Sequence, residues 1–147
     1  MIVMKFGGSS VATSAAIARV RSIVSSERRP RVVVVSALGG VTDALLSAVA
    51  SAEAGDSATA LGVVDALRER HRDTARALLA AVPAALLSAL DDCWSRAFQR
   101  LRGMARTGRA TARLRDEVAA VGELASSLLV RSAFEDGGLR TMWVDAR

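Results

Sequence analysis

The chain has 147 residues, of which 51% are hydrophobic, enough for one domain with an apolar core or for a large piece of a bigger domain. Its 20 basic and 15 acidic side chains give a formal charge of +5, but the two signs are interspersed and only 3% of the residues are aromatic, which disfavours a nucleic-acid-binding protein. The sequence has neither an apolar run of the roughly 18 residues that suggest a membrane span nor a signal-peptide pattern, so we expect a cytoplasmic protein that binds no membrane.

The single cysteine and the single histidine exclude several kinds of active site. Cys93 alone cannot form a disulfide framework or a thiolate metal cluster. His71 lies in the charged stretch RERHRDTAR, where we expect a solvated helix face rather than a catalytic role. One imidazole and one thiol would need carboxylates to complete a zinc site, so we predict neither a catalytic triad nor a protein-bound metal.

The N-terminal region predicts a strand, a helix and a second strand. The apolar block Ile2–Phe6 reads as a short buried strand, and the glycines after it indicate a tight turn. Apolar residues then recur at helical spacing over residues 13–26, and Pro30 marks the end of that helix. Four consecutive valines follow and predict a strand buried on both faces, as in a parallel sheet. Together these elements form a βαβ unit.

The middle of the chain is helical in pattern. Thr42 and Asp43 are candidate N-cap residues for a helix that follows the second strand. Residues 58–106 carry a helical pattern that Pro83 interrupts, which predicts a helical hairpin.

The C-terminal region predicts one more helix and one more strand. The helix is expected over residues 114–135, and the glycine pair at 137–138 would end it as helix C-caps do. The stretch LRTMWVDAR predicts the start of a last strand. The predicted fold class is therefore α/β, a three-layer α/β/α arrangement with a mainly parallel sheet and an inserted helical hairpin.

Lys5, the only lysine of the chain, stands just before the glycine pair in MKFGGSSVA. Glycines at the carboxyl end of a parallel strand let backbone amides approach an anion, and the next helix N-terminus adds partial positive charge. Lysine supplies a compact charge that suits phosphoryl transfer. However, KFGGSS is not a Walker A loop, and glycine pairs are common in turns that bind nothing. A phosphate site and a purely structural turn are both compatible with this pattern.

Two further stretches carry polar residues that suit a ligand site. SALGGVTD forms a second glycine turn at the same edge of the sheet, where Ser36 and Thr42 offer hydroxyls, although Thr42 could simply cap a helix. In VGELASSLL, Glu123 falls on an apolar, serine-lined helix face, where a carboxylate needs a cationic partner. That cation could belong to a ligand or to an arginine of this chain.

The stretches MKFGGSSVA, VVVVSALGGVTDALL and DEVAAVGELASSLL, in this order and followed by VDAR, resemble the N-terminal part of the aspartate kinases of the amino-acid kinase superfamily. The resemblance covers residues 1–147, although the alanine-rich middle matches only in being helical. It implies a phosphotransferase that uses ATP to convert the side-chain carboxylate of L-aspartate into 4-phospho-L-aspartate, the first step towards lysine, threonine and methionine. Mg²⁺ would accompany the nucleotide, and no tightly bound cofactor is implied.

The same resemblance implies roles for individual residues. The ATP phosphate loop would consist of Lys5, Phe6, Gly7 and Gly8. Within it, Lys5 would be the catalytic group that stabilises the transferred phosphoryl. Ser36 and Thr42 would bind substrate through their hydroxyls, and Glu123 would receive the aspartate ammonium. An aspartate carboxylate with a pKa of about 4 is already ionised at neutral pH, so no general base is required.

The family also contains parts that these 147 residues do not match. A second half of the kinase domain, which holds the nucleotide-base pocket, and regulatory ACT domains would follow the matched region. We therefore expect residues 1–147 alone to be inactive and the full-length enzyme to be a homo-oligomer. The alternative is a catalytically incomplete lobe that serves only as a folding or subunit-interaction module.

Overall fold

The computed structural model describes residues 1–146 as a mostly helical chain with one small sheet. Strands β1 (Ile2–Phe6) and β2 (Arg31–Val35) pair in parallel. A short 3₁₀ helix (Gly8–Val11) follows β1. The α-helices are α1 (Ser14–Ser26), α2 (Val41–Glu53), α3 (Ser57–Leu78), α4 (Ala84–Thr107) and α5 (Ala112–Asp136).

The predicted βαβ unit is confirmed, with element boundaries within one residue of those expected. The Thr13 side chain accepts a hydrogen bond from the amide of Ala16 at 3.1 Å, which satisfies a free donor in the first turn of α1. The amide of Ile2 donates to the carbonyl of Pro30 at 2.9 Å, so pairing of the strands begins as soon as the crossover ends. Local sequence signals alone are therefore sufficient to predict where this βαβ unit lies in the chain.

The sheet is covered by the core on one face only. Met4, Phe6, Val33 and Val35 pack against the core, whereas Val3, Val32 and Val34 on the other face are 67%, 45% and 43% exposed. The prediction that β2 is buried on both faces is therefore wrong for the described chain. A run of valines shows that both faces can be buried, but it does not show which segment covers each face. The α/β class is confirmed, and the third layer stays a prediction.

The predicted helical hairpin is present as α3 and α4. Pro83 is the N-cap residue of α4, as expected from its lack of a backbone donor. Leu90, Trp94 and Leu101 of α4 are fully buried, and Val64 of α3 is buried with them in the one core cluster. Among the helices within residues 1–146, none is long and apolar enough to cross a membrane.

His71 contradicts its predicted place on a solvated face, because it is fully buried in α3. Its Nδ1 donates to the carbonyl of Leu67 at 2.7 Å, and its ring meets that of Trp94 edge-on at 4.8 Å between centroids. The arginines and acids that surround His71 in the sequence point elsewhere around the helix. His71 shares the helical spacing of Leu67 and Ala75, both buried, and this periodicity was the signal for a core position.

Burial makes His71 a source of pH-dependent stability. Desolvation, with a smaller contribution from the charge of Arg70, lowers the pKa of His71 from 6.5 to about 4, against the opposing backbone hydrogen bond to Leu67. Between these values the unfolded chain binds a proton that the folded chain does not. Stability should therefore be complete above about pH 6.5 and fall by up to about 3 kcal/mol as the pH drops towards 4. Urea unfolding at pH 7.5, 6, 5 and 4 measures this change.

The matched control for this prediction is His71→Gln, which keeps a polar side chain but removes the titration. Because the chain contains a single histidine, this variant should lose most of the pH dependence between pH 6.5 and 5. An unchanged pH profile in the variant would show that another group causes the effect.

The end of α5 matches its prediction, whereas the last strand does not. Gly137 is the C-cap residue, and Gly138 adopts a φ of 80°, with its amide donating to Glu135 and that of Leu139 to Phe134. Residues 139–146 are not assigned as a strand. Their exposure alternates from Leu139 to Val144, as along a strand, but neither described strand pairs with them to supply the hydrogen bonds that define one.

Candidate functional site

The candidate site lies where β1 and β2 end at the same edge of the sheet. Lys5 is opposite Val34 in the register, and its side chain is exposed. The amide of Ser36 donates to the carbonyl of Phe6 at 3.1 Å, so the strands stay paired up to their last residues. The two glycine turns that follow therefore leave the sheet side by side.

The glycine turns are in backbone contact with each other. A Cβ added to Gly8 would lie 3.2 Å from the carbonyl oxygen of Ala37 and 3.6 Å from the Cα of Gly39. A Cβ added to Gly39 would lie 3.1 Å from the Cβ of Ala12. Both distances are tight, so the close approach needs glycine or a small shift of the neighbours. In other proteins, successive backbone amides in turns form concave sites that bind anions.

Helix α2 begins directly at the second turn, but its cap differs from the prediction. Gly40, with φ of 80°, is the N-cap residue, and no side chain caps the helix. Thr42 and Asp43 lie in the first turn of α2 instead, so their assignment as N-cap residues is wrong. Glycine occupies the left-handed conformation at little cost, and this moves the start of the helix upstream. The half-buried Thr42 hydroxyl is thus not used for capping.

Helix α5 packs on the second turn through its smallest residue. A Cβ added to Gly122 would lie 2.8 Å from Val41 Cγ1 and 3.1 Å from the Cβ of Ala37. A few residues further along α5, the buried Ser126 hydroxyl donates to the carbonyl of Ser36. Helix α5 therefore positions the turn after β2, and Glu123 is the residue that follows its contact with the start of α2.

Glu123 does not occupy the apolar helix face that was predicted for it. Gly122 and Leu124 are buried, whereas Glu123 is exposed. The prediction was wrong because successive residues of a helix lie about 100° apart, so a residue between buried neighbours can still face outwards. No ion pair joins Glu123 to an arginine within residues 1–146, so the alternative of an internal partner finds no support there.

The structure brings most of the predicted site residues to one edge. Those at the ends of the strands and in the first turn are Lys5, Phe6, Gly7, Gly8 and Ser36. Thr42 lies in the first turn of α2, and Glu123 follows the residue at which α5 meets that turn. Their roles as ligands stay predictions. Among the described residues, no group of three or more His, Cys, Asp or Glu side chains is arranged to hold a metal.

Sequence reasoning missed Arg70 and Ser126. Arg70, on α3, donates to the carbonyls of Gly39 and Ala12 at 2.9 and 3.2 Å, and Ser126 holds Ser36 from α5. These contacts join positions 31, 58 and 90 residues apart in the chain. No local pattern marks such partners, because side chain to backbone contacts over this separation arise only when the helices are packed.

Comparison with known proteins identifies the family of this chain. Residues 1–147 match the model of the amino acid kinase family over their whole length. The chain belongs to the amino acid kinase family, and it matches the N-terminal part of the aspartokinases.

The individual relatives are aspartokinases that are much longer than this chain. The chain is 35% identical over 147 residues to the chloroplastic bifunctional aspartokinase/homoserine dehydrogenase 2 of Arabidopsis thaliana, covering 99% of this chain but 16% of that protein. It superimposes on E. coli aspartokinase III in complex with aspartate and ADP with a TM-score of 0.88 and 27% identity, covering 100% of this chain and 31% of the other. The complex of E. coli aspartokinase III with lysine and aspartate gives a TM-score of 0.84 at 27% identity, covering 95% of this chain and 30% of the other.

Proposed function

We propose that this chain is the N-terminal part of an aspartate kinase that phosphorylates the side-chain carboxylate of L-aspartate with ATP, the first step towards lysine, threonine and methionine. The observation that carries the proposal is the contact between two glycine turns at the carboxyl ends of β1 and β2, beside the exposed Lys5. The structurally similar E. coli enzyme was solved with aspartate and ADP. The nucleotide-base pocket and any regulatory domains would be supplied by residues outside positions 1–147, and the assembled enzyme would be a cytoplasmic homo-oligomer.

The proposed chemistry is an in-line transfer. A carboxylate oxygen of aspartate attacks the γ-phosphorus of ATP, the bond from that phosphorus to the bridging oxygen breaks, and ADP leaves with the electron pair. Lys5 and the turn of Gly7 and Gly8 would hold the phosphates, while Mg²⁺ arrives bound to the nucleotide and neutralises part of its charge. The attacking carboxylate is already ionised, so the residues present need only orient the two substrates and stabilise the charge that develops during transfer.

The acceptor would bind on the side of the second turn. Ser36 and Thr42 are half-buried there and offer hydroxyls to the aspartate carboxylates. Glu123 is exposed and has no ion-pair partner in the described chain, so its carboxylate is available to the aspartate ammonium. This division assigns ATP to the first turn and aspartate to the second.

The exposed face of the sheet favours a second candidate function. Val3, Val32 and Val34 form an apolar surface that no described helix covers. A lobe that uses this surface only for folding or subunit contact would show the same fold without catalysis.

One assay distinguishes the two candidate functions. Residues 1–147 are combined in trans with the remaining kinase domain of E. coli aspartokinase III, and ADP release is measured with L-aspartate, L-glutamate or L-asparagine. An aspartate kinase should release ADP and form an acyl phosphate, trapped as its hydroxamate, with L-aspartate only. Binding of the two parts without any aspartate-dependent turnover would favour the interaction module.

Glu123→Gln is expected to raise KM for aspartate by about 10- to 100-fold, because a hydrogen bond between charged groups is lost. KM for ATP should change by less than about twofold, since ATP offers no ammonium. Steady-state kinetics with each substrate varied in turn measures the difference. Asp116→Asn is the matched control, because Asp116 is also exposed on α5 but lies about two turns away. Equal effects of Glu123→Gln on both substrates would argue against ammonium binding.

A further inference from the structure

Arg70 links the turn after β2 to the segment that follows the first glycine turn. It lies on α3, and its Nη1 donates to the carbonyl of Gly39 at 2.9 Å while its Nη2 donates to the carbonyl of Ala12 at 3.2 Å. Ala12 follows the 3₁₀ helix after β1, and Gly39 lies in the turn after β2. One guanidinium therefore contacts both of the segments that lead away from the sheet edge.

The charge of Arg70 has no acidic partner in the described chain. The neighbouring Glu69 and Asp73 pair with Arg72 at 3.3 Å and with Arg76 at 2.7 Å. Arg70 is half-buried and directs its planar fork at backbone oxygens instead. A guanidinium can hold two acceptors at a fixed separation, whereas an ammonium is a single point charge.

The contact between the two segments involves two glycines, which lack side chains that could fix their conformation. Gly8 lies against the backbone of Ala37 and Gly39, and Gly39 lies against the Cβ of Ala12. Two glycine-rich segments would otherwise have wide conformational freedom.

We propose that Arg70 is a positioning residue that fixes the segment leading away from the first glycine turn, at Ala12, against the turn after β2, at Gly39. The inference rests on the proposed function, in which the first turn holds ATP and the second holds aspartate. Arg70 sets the distance between the two substrates without touching either. Misplacement of reacting groups by about 1 Å can reduce a rate by about a hundredfold, so loss of this tie should reduce kcat.

Amide hydrogen exchange of residues 1–147 tests the tie without any substrate. In Arg70→Gln, the turn amides of Ser10 and Val41, which donate to Gly7 and Leu38 at 2.9 and 3.0 Å, should exchange about tenfold faster or more. The amide of Ile17 in α1 should keep its protection and serves as the internal reference. Arg76→Gln is the matched control, since Arg76 is an exposed arginine of the same helix that pairs only with Asp73. Unchanged exchange at Ser10 and Val41 would overturn the proposal.

Kinetics in the reconstituted kinase then separate positioning from general stability. Arg70→Lys and Arg70→Gln should lower kcat by about 10- to 100-fold at a temperature well below unfolding, with Arg76→Gln unaffected. If Arg70→Lys keeps the wild-type melting temperature and still loses kcat, positioning is supported. A kcat within twofold of wild type in both variants would overturn it. Faster amide hydrogen exchange in the turns of Arg70→Gln, with no aspartate kinase activity in the wild type, would support the positioning role of Arg70 and reject the proposed function.

Discussion

Lys5→Ala is expected to reduce kcat by about 10²- to 10³-fold in the active kinase, while the melting temperature changes by only a few degrees. Lys5 is exposed at the end of β1 and forms no ion pair within residues 1–146, so its removal costs little folding energy. Its charge instead stabilises the phosphoryl group during transfer, and removing one such preorganised group typically costs about 3 to 4 kcal/mol in the transition state. Measuring kcat and thermal unfolding on the same preparation tests both parts.

Val3→Ala is the matched control for Lys5→Ala. Val3 lies on the same strand and the same sheet face and is 67% exposed, but it is apolar. This variant should retain wild-type kcat. Near-wild-type kcat in Lys5→Ala would remove Lys5 from the mechanism, and a large loss of melting temperature would identify a structural role instead.

Residues 1–147 expressed alone are expected to show no aspartate-dependent ATP turnover and to self-associate. Two turns without a nucleotide-base pocket cannot hold the γ-phosphoryl in line with its acceptor. Val32 and Val34 are 45% and 43% exposed on the uncovered sheet face, and both strands have an unpaired edge in the described chain. Exposed apolar strands with free edges are sites of association. Size-exclusion chromatography with light scattering and an ADP-release assay measure the two outcomes.

Val32→Lys is the control for self-association. It places a charge on the uncovered face and should shift the population towards the monomer, with an unchanged far-ultraviolet circular dichroism spectrum. Addition of the remaining kinase domain should also dissociate the self-associated chain and produce aspartate-dependent turnover. A wild-type chain that is monomeric and phosphorylates aspartate unaided would contradict this prediction.

Local sequence signals were sufficient to predict each helix or strand whose formation depends mainly on its own residues. The limits of β1, α1 and β2 follow from apolar spacing, glycine and Pro30, and Pro83 divides the helical hairpin. The parallel pairing was also predictable, because a strand, a helix and a strand in about 35 residues form a crossover. Because both glycine turns follow parallel strands, the sequence also predicted that they share one edge of the sheet.

The tertiary structure decided every property that depends on a distant partner. His71 is buried and Glu123 is exposed, opposite to their predicted environments, because helix packing determines which side of each helix meets the core. Residues 139–146 were predicted to begin a strand, but neither described strand pairs with them. Arg70 reaches Gly39 and Ala12 only after α3 has folded over the turns. Periodicity along a sequence specifies the shape of an element, whereas burial, strand pairing and long-range hydrogen bonds depend on which surfaces meet after folding.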